Sequence, residues 1–319
     1  MKKKLIILSG DPNSINSEII YKCWSKLDNS RKKKIYLVSN YDLIKEQFKK
    51  LNYKISLQKV KNVNENTEGH KLKILNIDLN FKNPFKVPNS SSSMFVKKCI
   101  NFAHKICLTE SVAGMINCPI RKELLNYKKL GVTEYLASKC KIKNNSEVML
   151  IKNKKLSVSP ITTHLDLKNV SRNINEKIIL TKLKTINSWF LKYYQRKPKI
   201  AVLGLNPHNA ELHKDSEEIK IIIPIIKKLK KNGFSISGPL VADTIFISEY
   251  KKFDVIVGMY HDQILTPFKA MYKFDAINLT LGLKYHRASP DHGVAENLIL
   301  KKKANPLSLM NCIQFFNNF

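Results

Sequence analysis

Three histidines in this chain each follow an apolar run that is typical of a buried strand. Polar side chains at the carboxyl ends of strands are where open α/β sheets usually place their chemistry. Neutral imidazoles are common metal ligands, so the three histidines predict one metal site. The runs and their histidines are 156–163 with His164, 199–207 with His208, and 254–257 with His261.

The stretch around His261 carries the highest density of polar side chains that could do chemistry. It reads GMYHDQILTPFK from Gly258 to Lys269, and it places Asp262 next to the histidine. Asp262, and Asp243 in an earlier stretch, could orient a ligand histidine, accept a proton or cap a helix. The residues alone leave these three roles open.

The formal net charge of +31 needs an explanation, because strongly basic chains often bind nucleic acid. Here the lysines are spread through every segment, only five arginines are present, and no motif of alternating basic and aromatic residues is visible. Base-reading surfaces favour arginine forks. We therefore interpret the charge as compositional bias and expect no nucleic-acid partner, although the positive field would attract small anions.

Neither a membrane span nor a disulfide framework is indicated by the sequence. No run of 18 apolar residues occurs, and the amino-terminal MKKKLIILSGDP is typical of a first strand rather than of a signal peptide. The six cysteines lie far apart without a CxxC pair, which favours reduced thiols. We expect a cytoplasmic protein.

Strand-like and helix-like segments alternate along the 319 residues. This alternation predicts a mixed α/β sheet with helices on both faces, in one large or two smaller domains. The predicted strands are 5–8, 35–38, 55–57, 72–77, 115–120, 148–151, 156–161, 199–205, 254–257 and 276–281, and the predicted helices are 17–27, 41–51, 90–109, 167–194, 216–231, 242–250, 293–301 and 307–316.

Six short motifs, in family order across nearly the whole chain, resemble the 4-hydroxythreonine-4-phosphate dehydrogenases of vitamin B6 synthesis. Each motif alone is weak evidence, but together they are specific. They are Gly10-Asp11-Pro12, Thr162-Thr163-His164, Gly204-Leu205-Asn206-Pro207-His208, Gly238 to Thr244 (GPLVADT), Met259-Tyr260-His261-Asp262-Gln263, and Asp291-His292-Gly293.

The resemblance implies a two-domain fold similar to isocitrate and isopropylmalate dehydrogenases, with the active site in the interdomain cleft. It places the first domain at 1–130 plus 290–319 and the second at 131–289. It also implies a homodimer with a shared active site, NAD (or NADP) as cofactor, and a divalent metal such as Zn, Mg, Mn or Co. No G-x-G-x-x-G follows a predicted strand, so NAD enters through the resemblance alone.

The resemblance also assigns residues to roles. It implies metal binding by the three histidines, substrate binding by Thr133, Lys269, Asn278 and Arg287, and a cofactor contact by His292. We expect Asp243, Asp262 and Lys269 to be the catalytic groups. The scarcity of arginine independently favours Arg287 as a planar, bidentate anion contact. His213 lacks such support and is interpreted as a surface residue.

The implied reaction is oxidation of 4-phosphohydroxy-L-threonine to a β-keto acid, which loses carbon dioxide to give 3-amino-2-oxopropyl phosphate. One departure bears on the substrate: Val132 stands where the family has a histidine before Thr133. A related four-carbon acid phosphate, such as threonate or erythronate 4-phosphate, is therefore an alternative substrate. A basic nucleic-acid-binding protein on a decayed enzyme scaffold is a remote alternative. If the substrate is unchanged, a nearby lysine could replace the histidine: Lys122, Lys128 or Lys129.

Overall fold

A computed structural model describes residues 3–65, 69–125, 131–142 and 146–319. The chain divides into two compact units, Met1–Leu136 with Lys284–Phe319, and Ala137–Leu283. Thr133 and Arg287, which the prediction placed in the second domain, lie in the first unit. None of the helices in the described ranges is long and apolar enough to cross a membrane.

Twelve strands and eleven α-helices form the described parts of the chain. The strands are β1 (Lys4–Leu8), β2 (Ile35–Ser39), β3 (Leu57–Val60), β4 (Leu72–Asn76), β5 (Val112–Asn117), β6 (Val148–Lys152), β7 (Ser157–Pro160), β8 (Ile200–Leu203), β9 (Ile236–Leu240), β10 (Val255–Gly258), β11 (Ile277–Leu281) and β12 (Arg287–Pro290). The helices are α1 (Asn16–Lys26), α2 (Asn29–Lys32), α3 (Tyr41–Lys50), α4 (Asn89–Thr109), α5 (Val132–Lys139), α6 (Val170–Asn173), α7 (Glu176–Tyr194), α8 (Ile223–Lys231), α9 (Ala242–Ile245), α10 (His261–Tyr272) and α11 (Leu307–Phe315).

The first unit is built on six parallel strands in the order β3-β4-β2-β1-β5-β12. Parallel strands are covered on both faces, so their sequences are continuously apolar rather than alternating. β2 shows this directly, because all five of its residues are buried. Helix α4 packs against β1, β2 and β5, while α11 packs against β12.

The second unit has six strands in the order β11-β6-β7-β10-β8-β9. β6 runs antiparallel to both of its neighbours, while β7, β10, β8 and β9 are parallel to one another. This mixture confirms the predicted mixed α/β architecture. The parallel strands β7, β8 and β10 end at one edge, and the three predicted ligand histidines follow those ends.

A buried apolar cluster supports that edge of the second unit. Leu203 of β8, Ile256 of β10 and Phe268 of α10 are all fully buried in it. Ile264 and Leu265 place one side of α10 against the same cluster. Because densely packed side chains hold the backbone in place, residues that begin α10 are presented by a rigid element.

Several predicted helices are shorter than the sequence indicated. The helix predicted over 167–194 is interrupted at Ile174, which is extended, and Asn175 caps α7 by accepting a hydrogen bond from the Ile178 N–H (3.0 Å). The helix predicted over 216–231 begins with a π-helical turn, Glu218–Ile222, and Pro224 lies in the first turn of α8, where proline is tolerated.

Two further helix predictions are wrong for most of their length. In 242–250 only α9 is α-helical, and Glu249–Lys252 is a separate 3₁₀ turn. In 293–301 only Glu296–Leu298 forms a 3₁₀ turn, because Ala295 and Leu300 adopt left-handed φ values of 48° and 65° that end a right-handed helix on either side. The sequence did not predict α5, β9 or β12.

Candidate active site

His261 is the first residue of α10 and follows the end of β10 after a two-residue turn. Its Nδ1 lies 2.6 Å from Oδ1 of Asp262. A carboxylate can only accept, so in the neutral ring Nδ1 carries the proton and Nε2 has the lone pair that a metal ion would need. Of the three roles left open for Asp262, the structure therefore favours orienting a ligand histidine.

His164 faces His261, with the two ring centroids 6.0 Å apart. The segment before His164 is tied to the segment before His261, because Thr162 Oγ1 donates to the Met259 carbonyl (2.7 Å). Two imidazoles bound tetrahedrally to one zinc ion at about 2.0–2.1 Å have ring centroids roughly 5 Å apart. The observed spacing is wider than this, so a shared ion would require these two rings to move closer together.

His208 lies in an unusual turn after β8. All five residues of His208–Leu212 have φ between 47° and 58°, a left-handed conformation that costs non-glycine residues roughly 1–2 kcal/mol each. The turn is held from inside by the buried Asn209, whose Nδ2 donates to the Pro239 carbonyl (3.2 Å). The His208 ring is exposed to solvent.

A buried carboxylate that the sequence reasoning missed fixes the approach to this turn. Glu218 is fully buried, and its Oε1 accepts hydrogen bonds from the backbone N–H groups of Leu205 (2.7 Å) and Asn206 (2.9 Å). Its Oε2 accepts from Nδ2 of Asn206 (3.0 Å). In the sequence, Glu218 could be interpreted only as an acidic residue in the first turn of a helix.

The predicted three-histidine metal centre is only partly assembled. The structure brings His164 and His261 together, but in the described ranges no three histidine, cysteine, aspartate or glutamate side chains are placed to hold one ion. The donor chemistry of the two facing rings suits a divalent metal. Binding by His208 as a third ligand stays a prediction.

Gln263 locks together the ends of two strands at this edge. Its Oε1 accepts from the Met259 N–H (2.7 Å) just after β10, and its Nε2 donates to the Gly204 carbonyl (2.7 Å) just after β8. The side chain fits because residue 258 is glycine, where a Cβ would lie 2.8 Å from Gln263 Oε1 and 2.5 Å from Ile264 Cγ2. The sequence shows Gln263 only as part of a motif. Its hydrogen bonds indicate that it holds together the segments that lead to His208 and His261.

The other predicted site residues of the second unit lie on three different elements, α10, α9 and β11. Lys269 is exposed on α10, about 12 Å along the helix axis from His261. Asp243 is exposed in the first turn of α9 and does not occupy its cap position, which is Val241. Asn278 lies on β11, and its Oδ1 is buried without a hydrogen-bond partner in the described part of the chain. Such an orphaned acceptor is a feature of ligand-binding positions.

In the first unit, the structure brings Arg287 and Thr133 together. The Arg287 side chain is buried, with 4% of the residue exposed, and its Nη1 donates to Oγ1 of Thr133 (3.2 Å). Its Nε donates to Oδ1 of Asn117 (2.6 Å). Burial lowers the pKa of the guanidinium to about 10. Asn117 was not predicted as a site residue: in the sequence it lies inside the predicted strand 115–120, and the structure places it at the end of β5.

His292 lies in the loop that follows β12, at the carboxyl edge of the first unit's parallel sheet. Its Nδ1 donates to the Gly293 carbonyl (2.9 Å). Arg121 ties neighbouring loops of this edge together, because it pairs with the fully buried Asp11 (2.7 Å) and with Glu296 (3.2 Å). Dinucleotides bind at such edges of open α/β sheets, so the location suits a cofactor contact, which stays a prediction for His292.

Val132 is the first residue of α5, and it is partly buried next to Thr133. Of the lysines that could replace the expected histidine, Lys122 is exposed at the start of a 3₁₀ turn, Lys122–Leu125. Lys128 and Lys129 lie outside the described residues. Compensation by one of these three lysines stays a prediction.

Comparison with known proteins shows similarity along the whole chain. A family model described as pyridoxal phosphate biosynthetic protein PdxA matches residues 31–316. A 4-hydroxythreonine-4-phosphate dehydrogenase of Sulfurihydrogenibium sp. (strain YO3AOP1) is 34% identical over 319 residues, covering 98% of this chain and 96% of that protein. The protein of the same name from Aquifex aeolicus (strain VF5) is also 34% identical, covering 100% and 98%.

Solved structures show the same similarity. The crystal structure of 4-hydroxythreonine-4-phosphate dehydrogenase from Klebsiella pneumoniae superposes with a TM-score of 0.84 at 26% identity, covering 99% of this chain and 98% of that one.

Proposed function

This chain belongs to the PdxA family of pyridoxal phosphate biosynthetic proteins, and from that premise we propose that it is a 4-hydroxythreonine-4-phosphate dehydrogenase. The proposed reaction oxidises the secondary alcohol of 4-phosphohydroxy-L-threonine to a ketone while NAD, or NADP, is reduced. The ketone is β to the carboxylate, so carbon dioxide leaves and 3-amino-2-oxopropyl phosphate remains.

The observation that most directly supports the proposal is that the rings of His164 and His261 lie near each other, just after the ends of two parallel strands. These two residues, with His208, would hold a divalent metal. When bound, the metal supplies Lewis-acid chemistry that lowers the pKa of the substrate alcohol. The chain's own contribution is orientation: Asp262 fixes the His261 ring, and Gln263 fixes the strand ends beneath it.

We assign removal of the substrate's alcohol proton to the remaining titratable groups predicted for the site in the second unit. Because Asp262 is already engaged with His261, we assign it to positioning rather than to proton transfer. Asp243 and Lys269 are exposed. The Asp243 carboxylate, or Lys269 in its neutral amine form, would take the alcohol proton. When bound, the nicotinamide cofactor supplies the hydride acceptor, and His292 would contact it.

We assign recognition of the substrate's anionic groups to Arg287 and Thr133. Lys269 and Asn278 would be further substrate contacts. Arg287 offers a buried guanidinium, which is well suited to a carboxylate or phosphate. Asn278 offers a buried amide oxygen that has no hydrogen-bond partner within the described residues, which suits a ligand N–H or O–H group. We further propose a homodimer with a shared active site, which sedimentation or light scattering would test.

Val132 favours a second candidate substrate. Valine can neither donate a hydrogen bond nor carry charge, so the position before Thr133 has lost a polar contact that the family provides. A four-carbon acid phosphate without the amine, such as threonate or erythronate 4-phosphate, is the alternative. Measuring NADH formation with all three phosphates distinguishes the two functions.

The test of the metal proposal is the substitution His261→Ala, with His213→Ala as a matched control. His213 is exposed and lies close to His208 in sequence, but it does not directly follow a strand. We expect His261→Ala to lose bound metal and turnover while remaining folded, and His213→Ala to keep both. Full turnover of a folded His261→Ala protein would contradict the proposal.

A further inference from the structure

The segment that leads from β8 to His208 is held in place by a side chain of another element. At the end of β8 the Gly204 N–H still donates to a carbonyl of β9 (3.1 Å). The next two N–H groups, those of Leu205 and Asn206, both donate to Oε1 of the buried Glu218 (2.7 and 2.9 Å). Backbone N–H groups that leave a sheet need such partners, because a buried donor without one costs free energy.

The carboxylate of Glu218 also holds the side chain of Asn206. Its Oε2 accepts from Nδ2 of Asn206 (3.0 Å), and Oε2 of the preceding residue, Glu217, accepts from the same nitrogen (2.9 Å). Glu218 opens the π-helical turn Glu218–Ile222, in which the Ile223 N–H donates back to the Glu218 carbonyl. Turns of this kind are frequent at functional sites. The start of this turn therefore presents two neighbouring carboxylates to one amide group.

The backbone on the other side of His208 is held by a second buried side chain. Asn209 is buried, and its Nδ2 donates to the Pro239 carbonyl (3.2 Å). A Cβ at Gly204 would lie 2.1 Å from Asn209 Oδ1 and 3.0 Å from Glu218 Oε1, so the glycine leaves room for both side chains. The exposed His208 therefore stands on backbone that is held on both sides.

We propose that Glu218 is a positioning residue: it fixes the direction in which the chain leaves β8, and so places His208 as a ligand of the metal ion. The ligand role of His208 and the presence of the ion rest on the proposed function. The two shortest contacts of Glu218 are to the backbone two and three residues before His208, so it would act through the backbone. Residues that hold a metal ligand in place typically contribute about 10- to 100-fold to metal affinity.

Glu218→Gln is the informative substitution, because it keeps the size of the side chain. A glutamine ends in one acceptor and one donor group. If its oxygen accepts from the two backbone N–H groups, its Nε2 meets the donor Nδ2 of Asn206; in the opposite orientation, its Nε2 meets the two N–H groups. A donor faces a donor either way. We expect the affinity of the chelator-treated protein for Co²⁺, read from the visible absorption of the bound ion, to fall about tenfold.

A double-mutant cycle with His208→Ala separates positioning from a general loss of stability. If Glu218 acts through His208, Glu218→Gln should weaken Co²⁺ binding by less than about twofold when His208 is already alanine. Glu18→Gln is the matched control. Glu18 is also buried, and its Oε1 accepts from the Ala304 N–H (2.8 Å) and from Lys22 Nζ (2.7 Å) in the first unit. This control should lower the midpoint of thermal unfolding and leave the Co²⁺ affinity unchanged.

Hydrogen exchange of the metal-free protein tests the backbone contacts without any metal. In Glu218→Gln we expect faster exchange of the amides of residues 205–210 and unchanged exchange in β7 and β10. Unchanged exchange in 205–210 would overturn the proposal. Faster exchange throughout the second unit would also overturn it, because it would show a purely structural role.

The Co²⁺ titrations decide the link to His208. The proposal is overturned if Glu218→Gln binds Co²⁺ as the wild type does, if it weakens binding equally in His208→Ala, or if the wild type binds no Co²⁺. In the first two cases NADH formation by the wild type would leave the proposed reaction standing. A wild type that binds none of the divalent metals would reject the metal-assisted reaction as well.

Two further variants keep the proposal testable. If His208→Ala binds no measurable Co²⁺, His208 is required for binding, and the comparison of Glu218→Gln with Glu18→Gln decides the role of Glu218. If Glu218→Gln does not fold, Asn206→Ala replaces it, since it removes the contact with Glu218 Oε2. Asn206→Ala must then speed exchange in 205–210 and weaken Co²⁺ binding, and wild-type values for both would refute the role.

Discussion

Replacing Arg287 with lysine changes the shape of the proposed anion site without changing its charge. The guanidinium of Arg287 uses two separate nitrogens, Nε toward Asn117 and Nη1 toward Thr133, and it is buried. Lysine ends in one ammonium on a flexible stem, so it cannot reproduce this planar fork. We therefore expect Arg287→Lys to impair substrate binding and stability together.

The size of the effect follows from the contacts that are lost. If one charge-assisted hydrogen bond to the substrate anion disappears, about 1.5–3 kcal/mol of binding free energy is lost, which is roughly a 10- to 150-fold decrease in kcat/KM. In addition, the buried Asn117 oxygen or the Thr133 hydroxyl loses its donor. We expect the free energy of unfolding to fall by about 1–3 kcal/mol for that reason.

The assay is steady-state NADH formation across substrate concentrations, combined with denaturant unfolding of the same proteins. Arg196→Lys is the matched control, because Arg196 also makes two hydrogen bonds, to Asp254 (2.7 and 2.6 Å), at an exposed position. That substitution should leave kcat/KM unchanged. An unchanged kcat/KM for Arg287→Lys would refute the reasoning and remove Arg287 from the substrate contacts.

Two further predictions concern other positions. Val132→His should be tolerated, and its kcat/KM for 4-phosphohydroxy-L-threonine should be near the wild-type value or higher. A large loss of kcat/KM toward all four-carbon acid phosphates, in a protein that still folds, would show that the pocket must be apolar at this position. The buried Lys73 donates to the carbonyls of Lys32 and Lys33, and burial lowers its pKa from 10.5 to about 8. Between these two pH values the unfolded chain binds more protons than the folded protein, so the free energy of unfolding should rise with pH. Relative to Lys73→Met, the rise should be at most about 3 kcal/mol. Identical pH profiles of the free energy of unfolding for the two proteins would contradict this.

The strands that precede the histidines could be predicted because each is indicated by the residue pattern of its own short segment. Runs such as Val255–Gly258 are apolar, begin after a polar residue, and are buried on both faces. A histidine directly after such a run must lie near the sheet edge, whatever the rest of the fold does. The sequence therefore placed His164 and His261 at one edge, and the structure brings their ring centroids to within 6.0 Å of each other.

The surroundings of Arg287 could not be predicted, because they depend on pairing between distant segments. β12 has four residues, begins with arginine and ends with proline, so it carries no strand signal of its own. It becomes a strand by pairing with β5, which ends at Asn117. The same applies to Glu218, whose contacts with Leu205 and Asn206 cross a turn of left-handed residues that no propensity would indicate.

The most direct test of the central claim is whether the purified protein forms NADH from 4-phosphohydroxy-L-threonine in a metal-dependent way. The protein would be assayed with NAD or NADP, after treatment with a chelator, and again after adding back Zn, Mg, Mn or Co separately. The account predicts NADH or NADPH formation that stops when the metal is removed and returns with at least one of these ions. Undiminished turnover of the metal-free protein, or no turnover with any combination, would contradict it.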